Sequence, residues 1–158
     1  MKIQFIFLLA LSACSQFDQI AECDEQAGLT AIEADNLSSA YEALKGCADT
    51  DASGKALHDL HILIFPEGFG SYKSEDQRTI DSQRLNCRAA LAGYEVSVSS
   101  LAHTYLYGSP YMSVNPSPEV SLCLSTIPAP SASEYLSPNH VEACLSLNPD
   151  IDPTYECY

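Results

Sequence analysis

Residues Ser97 to Cys123 read SVSSLAHTYLYGSPYMSVNPSPEVSLC. Leu101 and Tyr105 stand one helical turn apart and so share a face, while Ala102 between them is small enough for a second helix to approach closely. Gly108 is the residue type suited to end such a segment in a left-handed cap, and Pro110 cannot continue it. After Asn115 an apolar segment resumes and carries Cys123. The stretch predicts a helix, a glycine turn and a second helix.

Working back toward the N-terminus, the same three- and four-residue spacing recurs. Leu37, Ala40, Tyr41, Leu44 and Ala48 predict a helix over Ala34 to Asp49, ended by Gly46 and the aspartates after it. A second begins after Ser53-Gly54, carries Ala56, Leu57, Leu60 and Ile64, and stops by Pro66-Glu67-Gly68. Residues 78 to 92 give a third, with Ile80, Leu85, Ala89 and Ala92 on one side and basic residues opposite. Tyr94 to Gly108 gives a fourth, although its serines and valines favour a helix only weakly. Eight of the nine prolines lie from Pro110 onward, so the last third must be short helices joined by turns.

Cys47, Cys87 and Cys123 are spaced by 40 and 36 residues, a period of the size found in two-helix solenoid units. With that period, Leu101-Ala102-x-x-Tyr105-x-x-Gly108-x-Pro110 resembles the Sel1-like repeat, a relative of the tetratricopeptide unit. Ala56, Leu60, Phe65, Gly68 and Gly70 form a looser copy, and a third, after Cys123, is eroded by Pro128, Pro130 and Pro138. The resemblance implies an all-α fold of short antiparallel helix pairs stacked as a solenoid over 34–127. A Pro/Ser-rich, disulfide-tied section over 128–158 follows it. A generic irregular helical domain with coincidental spacing is the alternative.

At the other end, Lys2 precedes an apolar run, Ile3 to Leu11, far shorter than the roughly 20 residues needed to span a bilayer. Leu11-Ser12-Ala13-Cys14 resembles the lipobox of bacterial lipoproteins. The resemblance implies a signal peptide over 1–13, lipid on Cys14 and a membrane anchor, followed by a tether and short helix over 14–33. Ser15, where an aspartate would favour retention at the inner membrane, implies the outer membrane facing the periplasm. A soluble exported chain with an incidental Cys14 is the alternative.

Setting Cys14 aside leaves Cys23, Cys47, Cys87, Cys123, Cys144 and Cys157, an even set that fits three disulfides in an oxidising compartment. No CxxC or HxxxH spacing points to zinc. By the repeat resemblance the implied pairs are Cys23 with Cys47, Cys87 with Cys123, and Cys144 with Cys157. The middle pair is strained by solenoid geometry, because successive units stand about 9–10 Å apart.

The formal charge is −14, and no Lys or Arg follows Arg88. Such a surface repels phosphate backbones, which excludes nucleic acid as a partner. Asp49-Thr50-Asp51-Ala52-Ser53-Gly54 opens like a calcium loop, yet its twelfth position is Leu60 rather than a bidentate Glu. The competing reading is a turn in which Asp51 or Ser53 caps the next helix. His58 and His61 lie three apart and, without a third ligand, read as structural histidines. Neither a Gly-x-Ser-x-Gly elbow nor a phosphate-binding Gly loop occurs, and no catalytic residue, metal or cofactor is assigned. Tyr105, Tyr107 and Tyr111, with Met112, either pack within the helices or form an aromatic contact patch. The sequence expectation is a non-enzymatic envelope lipoprotein that binds a protein or peptide. The alternative is a periplasmic enzyme or enzyme inhibitor whose site is assembled from distant positions.

Overall fold

Polar side chains set most of the helix starts. Asp24 caps α1 (Glu25–Glu33) by accepting from Ala27 N at 2.9 Å, and Asn36 caps α2 (Leu37–Leu44) through Ser39 N at 3.2 Å. Ser53 opens α3 (Gly54–Ile64) and Ser74 opens α4 (Glu75–Leu91) in the same way. Each such bond satisfies an N–H that the helix itself leaves unpaired and contributes about 1 kcal/mol. Three further helices follow: α5 (Glu95–Tyr107), α6 (Pro118–Thr126) and α7 (Pro138–Leu145). These are the elements of a computed structural model that describes residues 21–65, 67–111, 114–126, 136–149 and 157.

Among the described residues the chain is helical with no strand; Ser109 and Val114 alone form an isolated antiparallel bridge. No described helix is long and apolar enough to cross a membrane. The helix expected over 34–49 is shorter than its pattern. It begins only after the Asn36 cap and tightens into a 3₁₀ turn over Lys45–Asp49, where Gly46 lets the backbone of Ala21 pass against it. The second, third and fourth expected helices are present, displaced by no more than a few residues at their ends.

Consecutive helices pack on one another: α1 on α2, α3 on α4, α4 on α5 and α5 on α6, while α7 returns to touch both α4 and α6. Helix α4 lies at the centre because it faces two cores. Leu85 and Ala89 join Leu44, Leu57, Leu60 and Leu63 on one side. On the other, Cys87 and Ala90 join Val98, Leu101, Tyr105, Val120, Leu124, Val141 and Leu145. The expected face of α5 is therefore in place, with Leu101, Ala102 and Tyr105 all buried and packed with residues of α6. In the looser copy, Ala56 and Leu60 are buried but Phe65 is left exposed.

Glycine is required where chain segments meet most closely. Gly93 has φ +84°, and a Cβ there would stand 2.0 Å from the carbonyl oxygen of Leu136, whose N–H donates to Gly93 O at 2.6 Å. Gly108 ends α5, but not as the left-handed cap expected of it. With φ 79° and ψ 167° it occupies the mirror-extended region open essentially to glycine alone, which turns the chain into the Ser109–Val114 bridge.

The six cysteines form three disulfides. Cys23 bonds Cys47, as the repeat resemblance implies, but the other two implied pairs are replaced by Cys87 with Cys157 and Cys123 with Cys144. The reason is topological. Helix α5 packs against both α4 and α6 and stands between Cys87 and Cys123, whereas α7 lies against α6 and brings Cys144 within a Cα separation of 5.5 Å of Cys123. Cys87 is thereby left for Cys157, which reaches it at a Cα separation of 5.3 Å.

Candidate functional site

The concave feature richest in chemistry lies between the end of the 3₁₀ turn and α4. It encloses about 550 Å³, within the range of small-ligand sites, and is lined by Asp49, Asp51, Ile64, Tyr72, Arg84 and Leu85 among others. Its shape follows from one side chain. The Arg88 guanidinium donates from Nη1 to the Ala48 carbonyl and from Nη2 to the Thr50 carbonyl at 2.7 Å, fixing the turn to α4. From below, the Glu25 carboxylate accepts from Ser53 N at 2.7 Å.

The turn that opens like a calcium loop is thus held by a protein cation. Ser53 caps α3, as one of the two readings of this turn anticipates. Asp49 and Asp51 remain exposed at the cavity. No group of three or more His, Cys, Asp or Glu among the described residues is arranged to hold a metal ion.

The electrostatics of the cavity are mixed in sign. Arg84 and Arg88 on α4 share the cavity with Asp49 and Asp51 of the turn, and Asp81 borders it from α4 itself, one turn before Arg84. Asp81 accepts from Gln77 Nε2 at 2.8 Å. Tyr72 stands beneath the Arg78 guanidinium, 5.9 Å from the ring centre, and its phenol is pushed up to about 12 by burial and then by neighbouring Tyr41 and Asp81. It is therefore a hydroxyl donor at any physiological pH.

A second polar cluster lies where α3, α4 and α5 meet. His61 Nδ1 lies 2.6 Å from Ser82 Oγ and 3.1 Å from the Ser82 carbonyl oxygen, and the Ser82 hydroxyl donates to the His61 carbonyl at 3.3 Å. His58 Nδ1 lies 3.0 Å from Ser97 Oγ, and Asn86 Nδ2 donates to Ser100 Oγ at 2.9 Å. Burial, and then the adjacent His58, push His61 down to about 4; burial also lowers His58, against the opposing influence of Asn86 and Asp59. Both imidazoles are neutral near pH 7. A serine beside a neutral histidine has the chemistry of a nucleophile and its base. Here Ser82 is only 1% exposed and its hydroxyl is held by the His61 carbonyl, so the pair joins α3 to α4.

The three tyrosines singled out by the sequence do not come together as one surface. Tyr105 is 1% exposed and belongs to the core around α5, whereas Tyr107 and Tyr111 are 69% and 45% exposed. The Tyr107 ring instead lies tilted by 52° against that of His103, with centres 5.0 Å apart. Cys14, together with the lipobox-like residues before it, lies outside the described residues, as does Met112. The cavity residues were missed as a site in the sequence because its two walls are some 35 positions apart. One signal was available: all three arginines of this acidic chain, Arg78, Arg84 and Arg88, fall within α4. Compared with protein-family models, curated proteins and solved structures, the chain matches none.

Proposed function

We propose that the protein is an exported bacterial lipoprotein, anchored through lipid on Cys14 at the outer membrane and facing the periplasm, that acts as a non-enzymatic binding module for a protein or peptide. Support for the compartment comes from the short apolar leader, from the lipobox-like Leu11-Ser12-Ala13-Cys14, and from three disulfides that require an oxidising environment. The helix pair α5 and α6, packed around Leu101, Ala102 and Tyr105, supports reading the middle of the chain as a degenerate Sel1-like solenoid. Solenoids expose concave surfaces of the kind that hold peptides.

The observation that carries the binding role is the cavity between the Asp49–Asp51 turn and α4. It is concave, braced by the Arg88 contacts, and bordered by the exposed charged groups of Asp49, Asp51 and Arg84. Its three carboxylates, set in a chain of charge −14, favour a partner that is uncharged or basic at the contact.

Two measurements test this reading. Mass spectrometry of the N-terminal peptide from envelopes is expected to find it beginning at a lipidated Cys14; an unmodified peptide that starts upstream refutes the anchor. Immobilised full-length protein is expected to retain neutral and basic peptide pools at low salt and release the basic ones at 0.5 M salt. Failure to retain any pool refutes the binding role.

A further inference from the structure

In a chain with 21 acidic and seven basic residues, an unengaged guanidinium is an anomaly. Of the other two guanidiniums, Arg78 pairs with Glu75 and Arg88 is engaged by the carbonyls of Ala48 and Thr50. Arg84 is exposed, lines the cavity, and makes neither an ion pair nor a hydrogen bond with any described residue. The same holds for Asp49 and Asp51 on the facing wall. Charges of both signs therefore border one cavity without neutralising each other.

We propose that this cavity binds a small zwitterion, its carboxylate on Arg84 and its ammonium on Asp49 and Asp51, the chemistry shared by a free amino acid and a short peptide. The assignment rests on the binding-module reading and names the ligand class for that same site. An anion without a positive group would meet three carboxylates, and a simple cation would meet two guanidiniums. Only a ligand with both charges satisfies both walls, and guanidinium–carboxylate contacts are among the stronger hydrogen bonds available.

The remaining lining fits the rest of such a molecule. Ile64 and Leu85 give the cavity an apolar floor for an aliphatic side chain, and the protonated Tyr72 phenol adds a donor on the same cavity wall. The walls are preorganised, since Arg88 fixes the turn and Cys157, also lining the cavity, is bonded to Cys87 of α4. Rigid walls reduce the ordering cost of binding.

Titration calorimetry on the full, disulfide-bonded chain tests the assignment with four probes: L-leucine, the dipeptide Leu-Leu, 3-methylbutylamine and 4-methylpentanoate. At least one of the two zwitterions is expected to bind, with the amine and the acid about tenfold or more weaker. The leucine to Leu-Leu ratio identifies whether a free amino acid or a peptide is the better source. Arg84→Met and the double variant Asp49→Asn/Asp51→Asn change exposed side chains, so the fold should be retained, which circular dichroism checks. Each is expected to weaken the binding zwitterion about tenfold or more.

An amine that binds as tightly as the zwitterion, or an Arg84→Met variant with unchanged affinity, overturns the assignment. Retention of longer peptide pools with no binding of either zwitterion also overturns it, while leaving the binding-module reading in place. Absence of both kinds of binding removes the two together.

Discussion

Acidifying the protein from pH 7 to pH 4 should destabilise it through His61, and the size of the loss follows from the surroundings of that imidazole. His61 is largely buried between α3 and α4, its Nδ1 against Ser82 and its ring centre 5.8 Å from that of His58. These surroundings lower its pKa from 6.5 to about 4. Between those two values the unfolded chain binds a proton that the folded chain refuses, so stability rises with pH across the window. The contribution is complete above pH 6.5 and is lost as pH falls through about 4. A displacement of this size corresponds to about 3 kcal/mol; allowing for the part of the ring that solvent still reaches, a loss of about 2–3 kcal/mol is expected.

His58 is lowered by burial too and acts in the same direction; the groups facing it are Asn86, Asp59, Lys55, Ser97 and Tyr94. Urea titration followed by far-ultraviolet circular dichroism at pH 7.0, 5.5 and 4.0 measures the effect in the parent and in His61→Gln. Carboxylates elsewhere titrate equally in both proteins and cancel in the comparison. The parent should lose about 2–3 kcal/mol more than the variant over this range. Parallel pH profiles, or an NMR titration midpoint for His61 near 6.5, would refute the reasoning.

Four other outcomes follow from the geometry. Peptide mapping without reduction should recover Cys87 joined to Cys157 and Cys123 joined to Cys144; replacing the latter pair with serine should cost about 3 kcal/mol, since it closes a loop of 21 residues. Tyr105→Ala should cost about 3–5 kcal/mol in chemical denaturation, whereas Tyr107→Ala, at an exposed ring, should stay within about 0.5 kcal/mol. Gly93→Ala should destabilise by more than about 1 kcal/mol, because the added Cβ meets the Leu136 carbonyl and the backbone has φ +84°. Arg88→Met should cost about 2–3 kcal/mol by leaving the Ala48 and Thr50 carbonyls without their charged donor. A melting-temperature shift near zero for that variant would show that the clamp has no structural weight.

The helices were legible where short-range chemistry decides them. Ser53-Gly54 starts α3 with a side-chain cap and Pro66 follows its end, so both boundaries could be read locally. Leu101, Ala102 and Tyr105 were legible as a buried face because a period of three to four residues is a local property. The pairings of Cys87 and Cys123 were not, because they depend on α7 returning past the prolines to lie on α4 and α6. Nor was the cavity. The spacing of α4 places basic residues opposite its apolar side, but nothing in it tells that Arg88 reaches back to carbonyls of residues 48 and 50. The oxygen-rich turn at Asp49 to Gly54 was correctly seen as something that holds a helix start, while the cation attached to it comes from 34 residues farther along the chain.

Helix α4 explains why so polar a sequence, EDQRTIDSQRLNCRAAL, can lie at the centre of the fold. Apolar stripes on both sides would hold it between α3 and α5, but apolar contact is non-directional and tolerates sliding along the axis. Ser82 to His61 and Asn86 to Ser100 fix its register against α3 and α5, Gln83 accepts from the Ser109 hydroxyl at 2.9 Å, and Cys87 binds it covalently to Cys157. A shift of one turn would break all of these at once and leave buried polar groups without partners. Arg88 and Arg84 belong to the same rigid rod, one clamping the Asp49–Asp51 turn and the other facing it across the cavity. The separation of the cavity's opposite charges is therefore set by the core itself. Any substitution that lets α4 slide, such as Ser82→Ala or Asn86→Leu, should weaken binding in the cavity even though neither residue lines it.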